Sequence, residues 1–227
     1  MTLSVREVVR VATRARIIRL DLGGRPFPFE PGQAVMVGLA GSPLKKPYSI
    51  ASAPREARRT GAIELLTQVE ETGGLDPHLE RAGVGDPIDI EGPFGTFELS
   101  ASMAPTLLIA GGTGIAPLRS MLVEWLEAGA RDLSLVYSAR NSAEFAYRED
   151  LEALGAGGRL RTFYTVTRDD SAWPGHQGRI DPALLREALP APNARCVACG
   201  PSALIDDVRD LLPGLGIGLD RLFTQQA

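Results

Sequence analysis

Thr106-Leu107-Leu108-Ile109-Ala110-Gly111-Gly112-Thr113-Gly114-Ile115-Ala116-Pro117-Leu118 holds the reading of the fold. Thr106–Ala110 is a nearly continuous apolar run of strand length. Gly111 to Gly114 let the backbone turn tightly. Beyond them Leu118, Met121, Leu122, Trp125 and Leu126 recur at three-and-four spacing, one buried stripe of a helix. A strand buried on both faces that feeds a helix is a unit of a parallel sheet. Toward the C-terminus the alternation goes on. Leu133–Ser138 reads as a strand, Tyr147–Leu154 as a helix and Arg161–Val166 as a strand. Asp181–Leu189 then reads as a helix, Arg195–Ala198 as a strand and Pro201–Leu211 as a helix.

Toward the N-terminus the texture changes. Leu3–Arg10, Arg16–Asp21, Ala34–Leu39, Pro47–Ser52, Ala62–Gln68 and Pro87–Glu91 are short strand-like runs, separated by Gly23-Gly24, Pro31-Gly32, Gly41-Ser42-Pro43 and Gly73-Gly74. Only one helix is expected there, a short one after Asp76-Pro77, where Asp suits the cap and Pro the first helical position. This pattern predicts a small antiparallel barrel. The change of texture falls near residues 100–104, so two domains are expected, 1–100 and 101–227.

Composition narrows the function classes. A 44% apolar and 23% charged chain of 227 residues is ordinary for a folded protein and large enough for a core without disulfides. The net charge of −4, with no long basic run, argues against nucleic acid and anionic membranes as partners. No run reaches the roughly 18 apolar residues of a membrane span. The first residues lack a basic region followed by an apolar stretch, so a cytoplasmic protein is expected. Two cysteines, Cys196 and Cys199, cannot form a four-thiolate cluster, although their C-x-x-C spacing fits a redox pair. His78 and His176 have no Cys/His/Asp cluster around them, and no metal site is expected.

The glycine loop admits two readings: a tight strand-to-helix turn, or a cradle whose free amides meet a pyrophosphate. The usual fingerprint is half matched, because Pro117 stands where its third glycine would be. The second strand of this half ends Tyr137-Ser138-Ala139-Arg140, with no acid for ribose hydroxyls. Ser138 and Arg140 suit a 2′-phosphate, while Arg140 also reads as a solvated strand end. In the barrel half, Lys45-Lys46-Pro47-Tyr48-Ser49-Ile50-Ala51-Ser52 offers cation, ring and hydroxyl to a flat cofactor, or equally a packed tyrosine.

Taken together these segments resemble the ferredoxin–NADP reductase family of flavoproteins over essentially the whole chain. Lys46 to Ser52 is similar to its R-x-Y-S-x-x-S, Gly92 to Phe97 to its G-P-x-G-x-F, and Gly111 to Pro117 to its G-G-T-G-I-A-P. Cys199-Gly200-Pro201 matches its C-G-P, Phe29 to Gln33 its F-x-P-G-Q, and Trp173 to Arg179 its W-x-G-x-x-G-R. The resemblance implies an N-terminal antiparallel six-stranded Greek-key β-barrel that binds flavin and a C-terminal Rossmann-like α/β parallel sheet that binds NAD(P). The flavin is FAD, with FMN the less favoured choice. Lys46, Pro47, Tyr48, Ser49, Ile50 and Ser52 become flavin-binding residues, with Tyr48 against the ring, Ser49 near N5 and Lys46 at the phosphate. Gly73, Gly74 and Leu75 supply amides to the pyrophosphate. Gly112, Thr113 and Gly114 cradle NADP or NAD, Ser138 and Arg140 lie at its ribose, and Cys199, Gly200 and Pro201 near the nicotinamide. Ser49 and Cys199 are the candidate catalytic residues.

Three departures stand out: Lys46 for the family's Arg, Asp76 for its Ser or Thr, and Ala227 where many relatives end in an aromatic that covers the flavin. The implied activity is hydride transfer from NAD(P)H to flavin, with electrons passed to a separate acceptor such as ferredoxin, flavodoxin or an oxygenase component. Two other readings stay open, a flavin reductase that releases reduced flavin and a nucleotide- or flavin-binding regulatory module without turnover.

Overall fold

The structure is a computed structural model that describes residues 1–69, 79, 82–95, 97, 104–168 and 170–226. β1 (Thr2–Ala12), β2 (Ala15–Asp21), β3 (Ala34–Leu39), β4 (Lys46–Ser49), β5 (Ala62–Gln68) and β6 (Pro87–Phe94) form an antiparallel sheet in the order β4-β3-β6-β1-β2-β5. Alternate residues such as Leu3, Val5, Ile18, Leu20, Ile88 and Ile90 point to one inner core. Its two edges meet just after β4. Ile50 bridges to Leu65, and the Ala51 amide donates to the Glu64 carbonyl at 2.8 Å. This contact joins the two edges of the sheet and makes the expected barrel.

Two expectations need correction here. The strand expected over Pro47–Ser52 ends at Ser49, because the chain then turns across to β5. The barrel half also holds a helix that was not expected, α1 (Pro54–Thr60). Its cap residue is Ala53, which has no side-chain oxygen, so the usual sequence signal is missing. Instead the Glu56 carboxylate accepts a hydrogen bond from the Ala53 amide at 2.9 Å, and Gly61 ends the helix at φ 69°. The helix expected after Asp76-Pro77 lies outside the described residues.

In the second half, β7 (Thr106–Gly111), β8 (Leu133–Ala139), β9 (Leu160–Val166), β10 (His176–Gln177), β11 (Arg195–Gly200) and β12 (Leu222–Gln226) form a parallel sheet. Their order is β10-β9-β8-β7-β11-β12. The helices are α2 (Ile115–Glu127), α3 (Arg148–Gly155), α4 (Pro182–Ala188) and α5 (Ser202–Leu211). Every residue of β7 is buried. Leu108 and Ala110 share a core with α2, while Leu107 and Ile109 share one with α4 and α5, as a period of two requires. The chain walks outward from β7 to β10, then returns to place β11 on the other side of β7. The carboxyl ends of the strands at such a reversal leave a crevice. β10 and β12 were not foreseen, since short, half-exposed edge strands carry little apolar alternation of their own.

Helix α2 is buried on more than one face. Leu118, Met121 and Leu122 share a core with Ala51 and Leu66 of the barrel half. Gly32 permits this approach: at its φ of 94°, a Cβ would lie 2.2 Å from the Phe97 carbonyl oxygen and 2.4 Å from the Met121 methyl.

Candidate functional site

A cleft of about 480 Å³ opens where the reversal predicts it. Its walls are the ends of β7 (Gly111 to Thr113) and β8 (Ser138 to Arg140), the residues after β9 (Thr167, Arg168) and, at the start of α5, Pro201, Ala203 and Leu204. The barrel half contributes Ala12, Arg14, Ala15, Leu66 and Gln68. The hairpin between β1 and β2 is tied to this rim by the Thr13 amide, which donates to the Ala143 carbonyl at 3.1 Å.

The glycines of the loop do different jobs. At Gly114 a Cβ would lie 2.2 Å from the Cys199 carbonyl oxygen, and at Gly111 it would lie 2.7 Å from the Leu204 side chain. Gly200 approaches Gly111 from the other side, with its Cβ position 3.1 Å from the Gly111 Cα. These three let β7 and β11 run into the turn in close contact. Gly112 instead sits at φ 54° with nothing within 4 Å of its Cβ position, so it faces the open cleft. Residues 112–114 form a single 3₁₀ turn that leads directly into α2. The first amides of such a run have no acceptor within the helix and are available to an anion. The buried Tyr137 hydroxyl donates to the Gly112 carbonyl at 3.1 Å, and burial raises its pKa so that it remains a donor.

Arg14, Arg140, Arg168 and Arg179 all line the cleft, against the acids Glu144 and Asp207. Asp207 lies 3.3 Å from Arg179, and Glu144 accepts from the Asn141 side chain at 3.2 Å. The Arg14 Nε is buried with no hydrogen-bond partner among the described residues. Below this rim Tyr137 and Tyr164 each meet the Phe145 ring edge-on, and Trp173 packs at a tilt on Phe145 and edge-on to Tyr164. The Trp173 indole donates to the His176 carbonyl at 3.1 Å.

On the barrel side, β4 presents Lys46 and Pro47 exposed and Tyr48 and Ser49 half-buried. Ile50 is fully buried, and Ser52 is 2% exposed with its hydroxyl accepting from the Glu64 amide at 3.1 Å. The Ser49 hydroxyl accepts from the Gln225 side chain at 3.5 Å. Gln225 stands opposite Cys199 in the β11–β12 pairing, so this one residue links the two candidate catalytic positions. Its side-chain oxygen is buried without a partner. Sequence reasoning overlooked Gln225, because only the pairing of β12 brings it to Ser49.

Cys196 and Cys199 are both fully buried, and burial pushes each thiol up to about 12. Neither is a thiolate at neutral pH, which speaks against thiol exchange. Gly73, Gly74, Leu75 and His78 lie outside the described residues. Among the described residues no group of three metal-ligating side chains is present, and no helix is long and apolar enough to cross a membrane.

The site fits two cofactors on its own geometry. The open floor at Gly112 and the unpartnered Arg14 Nε suit an anionic nucleotide, and the unpartnered Gln225 oxygen beside Ser49 leaves polar capacity on the barrel side.

Comparison with known proteins agrees. Residues 2–99 match the family described as oxidoreductase FAD-binding domain, and residues 108–210 that described as oxidoreductase NAD-binding domain. The chain is 37% identical over 206 residues to ferredoxin–NADP reductase B of Sorangium cellulosum, covering 86% of this chain and 83% of that one. It is 33% identical over 198 residues to the reductase component of phenol 2-monooxygenase from Pseudomonas sp. CF600, covering 83% of this chain but only 54% of that protein. The fold is shared with a ferredoxin NADP+ reductase from Neisseria gonorrhoeae with bound FAD and NADP. That likeness has a TM-score of 0.81 at 19% identity and covers 100% of this chain and 98% of the other. The chain therefore belongs to the ferredoxin–NADP reductase family of flavoproteins, and is an NAD(P)H-dependent flavoprotein reductase with FAD as its flavin.

Proposed function

We propose that this reductase uses NADPH in preference to NADH and passes its electrons to a separate acceptor protein, a ferredoxin, a flavodoxin or an oxygenase component, in the cytoplasm. The observation that carries the nucleotide preference is the end of β8. Ser138 and Arg140 line the cleft beside Arg168, and no acid stands at the strand end to hold a free ribose. Two relatives support the acceptor class, one named for ferredoxin and one for a phenol monooxygenase. We read residues 1–100 and 101–227 as the flavin and nucleotide domains.

When bound, the flavin supplies the conversion of a two-electron hydride donor into single-electron deliveries. The residues of the chain position and polarise. Lys46 offers its charge to the flavin phosphate and Tyr48 its ring to the isoalloxazine, while Ser49 offers a hydroxyl near N5. Pro47 stiffens β4, and Ile50 and Ser52 anchor it from inside. Gly73, Gly74 and Leu75 are assigned to the flavin pyrophosphate. Gly112, Thr113 and Gly114 hold the nucleotide pyrophosphate on amides, and Cys199, Gly200 and Pro201 form the wall beside the nicotinamide. With its thiol protonated, Cys199 acts there by shape and not as a nucleophile.

An anaerobic visible spectrum of the purified protein, titrated with NADPH and then NADH, tests this reading. The expected result is a flavin band bleached by about one equivalent of NADPH and poorly by NADH. A flavin that neither nucleotide bleaches would overturn the reductase function. A flavin lost on gel filtration, yet reduced when supplied free, would favour the reading as a flavin reductase.

A further inference from the structure

Arg119 is a charged residue inside an otherwise packed helix, α2, and is only 5% exposed. Its guanidinium uses all three nitrogens. Nε meets Asp150 at 2.6 Å, and Nη1 donates to the Ala51 carbonyl at 3.0 Å and to Glu56 at 2.9 Å. Nη2 takes the other oxygen of Glu56 at 3.0 Å. Glu64 of β5 lies 4.0 Å away, and its second oxygen is buried without a hydrogen bond. The guanidinium also stacks 4.8 Å from the centre of the Tyr147 ring, a residue held at φ 60°. Such a conformation persists in a tyrosine only where its surroundings impose it.

These contacts are concentrated on one short stretch of the barrel half. Ser120, the next residue of α2, donates its hydroxyl to the Ser52 carbonyl at 2.8 Å. One turn further on, the Glu124 carboxylate takes the Arg55 side chain at 2.9 Å and the Arg55 amide at 3.3 Å. Ala51 and Glu56 are thus held by Arg119, Ser52 by Ser120 and Arg55 by Glu124, all on α2. That stretch directly follows Tyr48 and Ser49, and α2 itself begins at Gly114 of the nucleotide loop. A covalent and hydrogen-bonded route between the two cofactor segments runs through Arg119. A planar fork with five donors can hold carboxylate and carbonyl partners in one fixed geometry, which a lysine cannot.

We propose that Arg119 is a positioning residue, which sets the spacing between β4 and the nucleotide loop and through it the rate of hydride transfer. It touches neither cofactor segment's reacting face. The proposal rests on the reductase reading above. Burial works against the charge of Arg119, but the hydrogen bonds and field of Glu56, with Asp150, more than offset it, so the residue is a permanent cation.

Arg119→Lys keeps a charge among the acids and loses the fork. At saturating NADPH, the variant is expected to reduce its flavin about tenfold or more slowly, while its nucleotide dissociation constant stays within about threefold. Amide hydrogen exchange should quicken at residues 50–53 and 113–118 more than elsewhere in either sheet. A variant that reduces at the wild-type rate would overturn the proposal. So would a loss of nucleotide binding and of exchange protection spread evenly over the molecule, which is what a purely structural role predicts. Should Arg119→Lys fail to fold, Ser120→Ala removes only the Ser52 contact and should show the same split at smaller size; an unchanged rate there overturns the proposal equally. A wild-type flavin that NADPH leaves oxidised would instead defeat the reductase reading and the proposal with it.

Discussion

The loop at residues 111–114 and the strand at residues 46–49, the two proposed cofactor segments, are built of different materials. The loop is made of backbone: three of its four residues are glycine, and it is held by the contacts that missing side chains allow. The strand is made of side chains, presented on an edge element with one strand neighbour along its length, β3. A site of the first kind tolerates almost no change of residue and little change of sequence pattern. A site of the second kind can exchange Lys for Arg, as Lys46 does, and keep its charge. The difference teaches where substitutions should be costly and where they should be graded.

The largest effect is expected where the two regions are joined. Arg119→Gln would take from Glu56 its hydrogen-bonded counter-charge, while Glu64 keeps Arg19 at 2.7 Å, and breaking a buried pair in this way costs about 3–5 kcal/mol. Urea unfolding of the variant should show that loss. The same cluster should give the protein an acid sensitivity. Burial tends to raise the Glu56 carboxyl, but Arg119 outweighs it and holds the group below its ordinary value of 4.5. A carboxylate depressed on folding contributes stability that is complete above 4.5 and is lost as pH falls through the folded value. Unfolding free energy should therefore decline below pH 4.5, and Glu56→Gln should flatten that decline while lowering stability at neutral pH.

Within the loop, Gly114→Ala forces a methyl to 2.2 Å from a backbone oxygen that cannot swing away. Overpacking of this kind costs about 1–3 kcal/mol, and the rigid neighbour points to the upper end. NADPH titration should show binding lost together with stability. Gly112→Ala meets open space and bears only the left-handed backbone, a cost of about 1–2 kcal/mol. If the two alanines proved equally harmful, the distinction between packed and open glycines would fall. At the β8 end, Arg140 lines the cleft, and the proposed contact to a 2′-phosphate is tested by Arg140→Ala. The variant should lower kcat/KM for NADPH by about tenfold or more with NADH little changed.

The two regions also differ in how far the sequence disclosed them. The parallel sheet was legible because β7 and β8 are buried on both faces and read as apolar runs, and because close-packed glycines leave a dense local signature. The antiparallel strands were legible from their alternation. What could not be read is what depends on partners distant in the chain. Helix α1 starts at an alanine and is capped by its own Glu56, so no cap residue announces it. Arg119 follows Leu118 of the apolar stripe and would be solvated if α2 packed on one face only. It is buried because the barrel covers the second face. Gln225 belongs to the site only because β12 pairs with β11 and ends beside β4.

The smallest effect should come from the side-chain region itself, at Ser49. A hydroxyl offers one donor and two acceptors, and Gln225 uses an acceptor, which leaves the Ser49 proton free to be given elsewhere. If Ser49 gives it to the flavin, Ser49→Ala should slow flavin reduction by a few-fold to about tenfold, the range of one modest hydrogen bond. Protein stability should hardly move, because the strand's own backbone ladder to β3 is intact. Gln225→Ala should do less still, since a contact at 3.5 Å is at the limit of a hydrogen bond. The double variant then separates two cases. If Gln225 orients Ser49, its loss should have no further effect once the hydroxyl is gone. If Gln225 acts by itself, the two effects should multiply, and β12 would carry a polar contact of its own to the flavin.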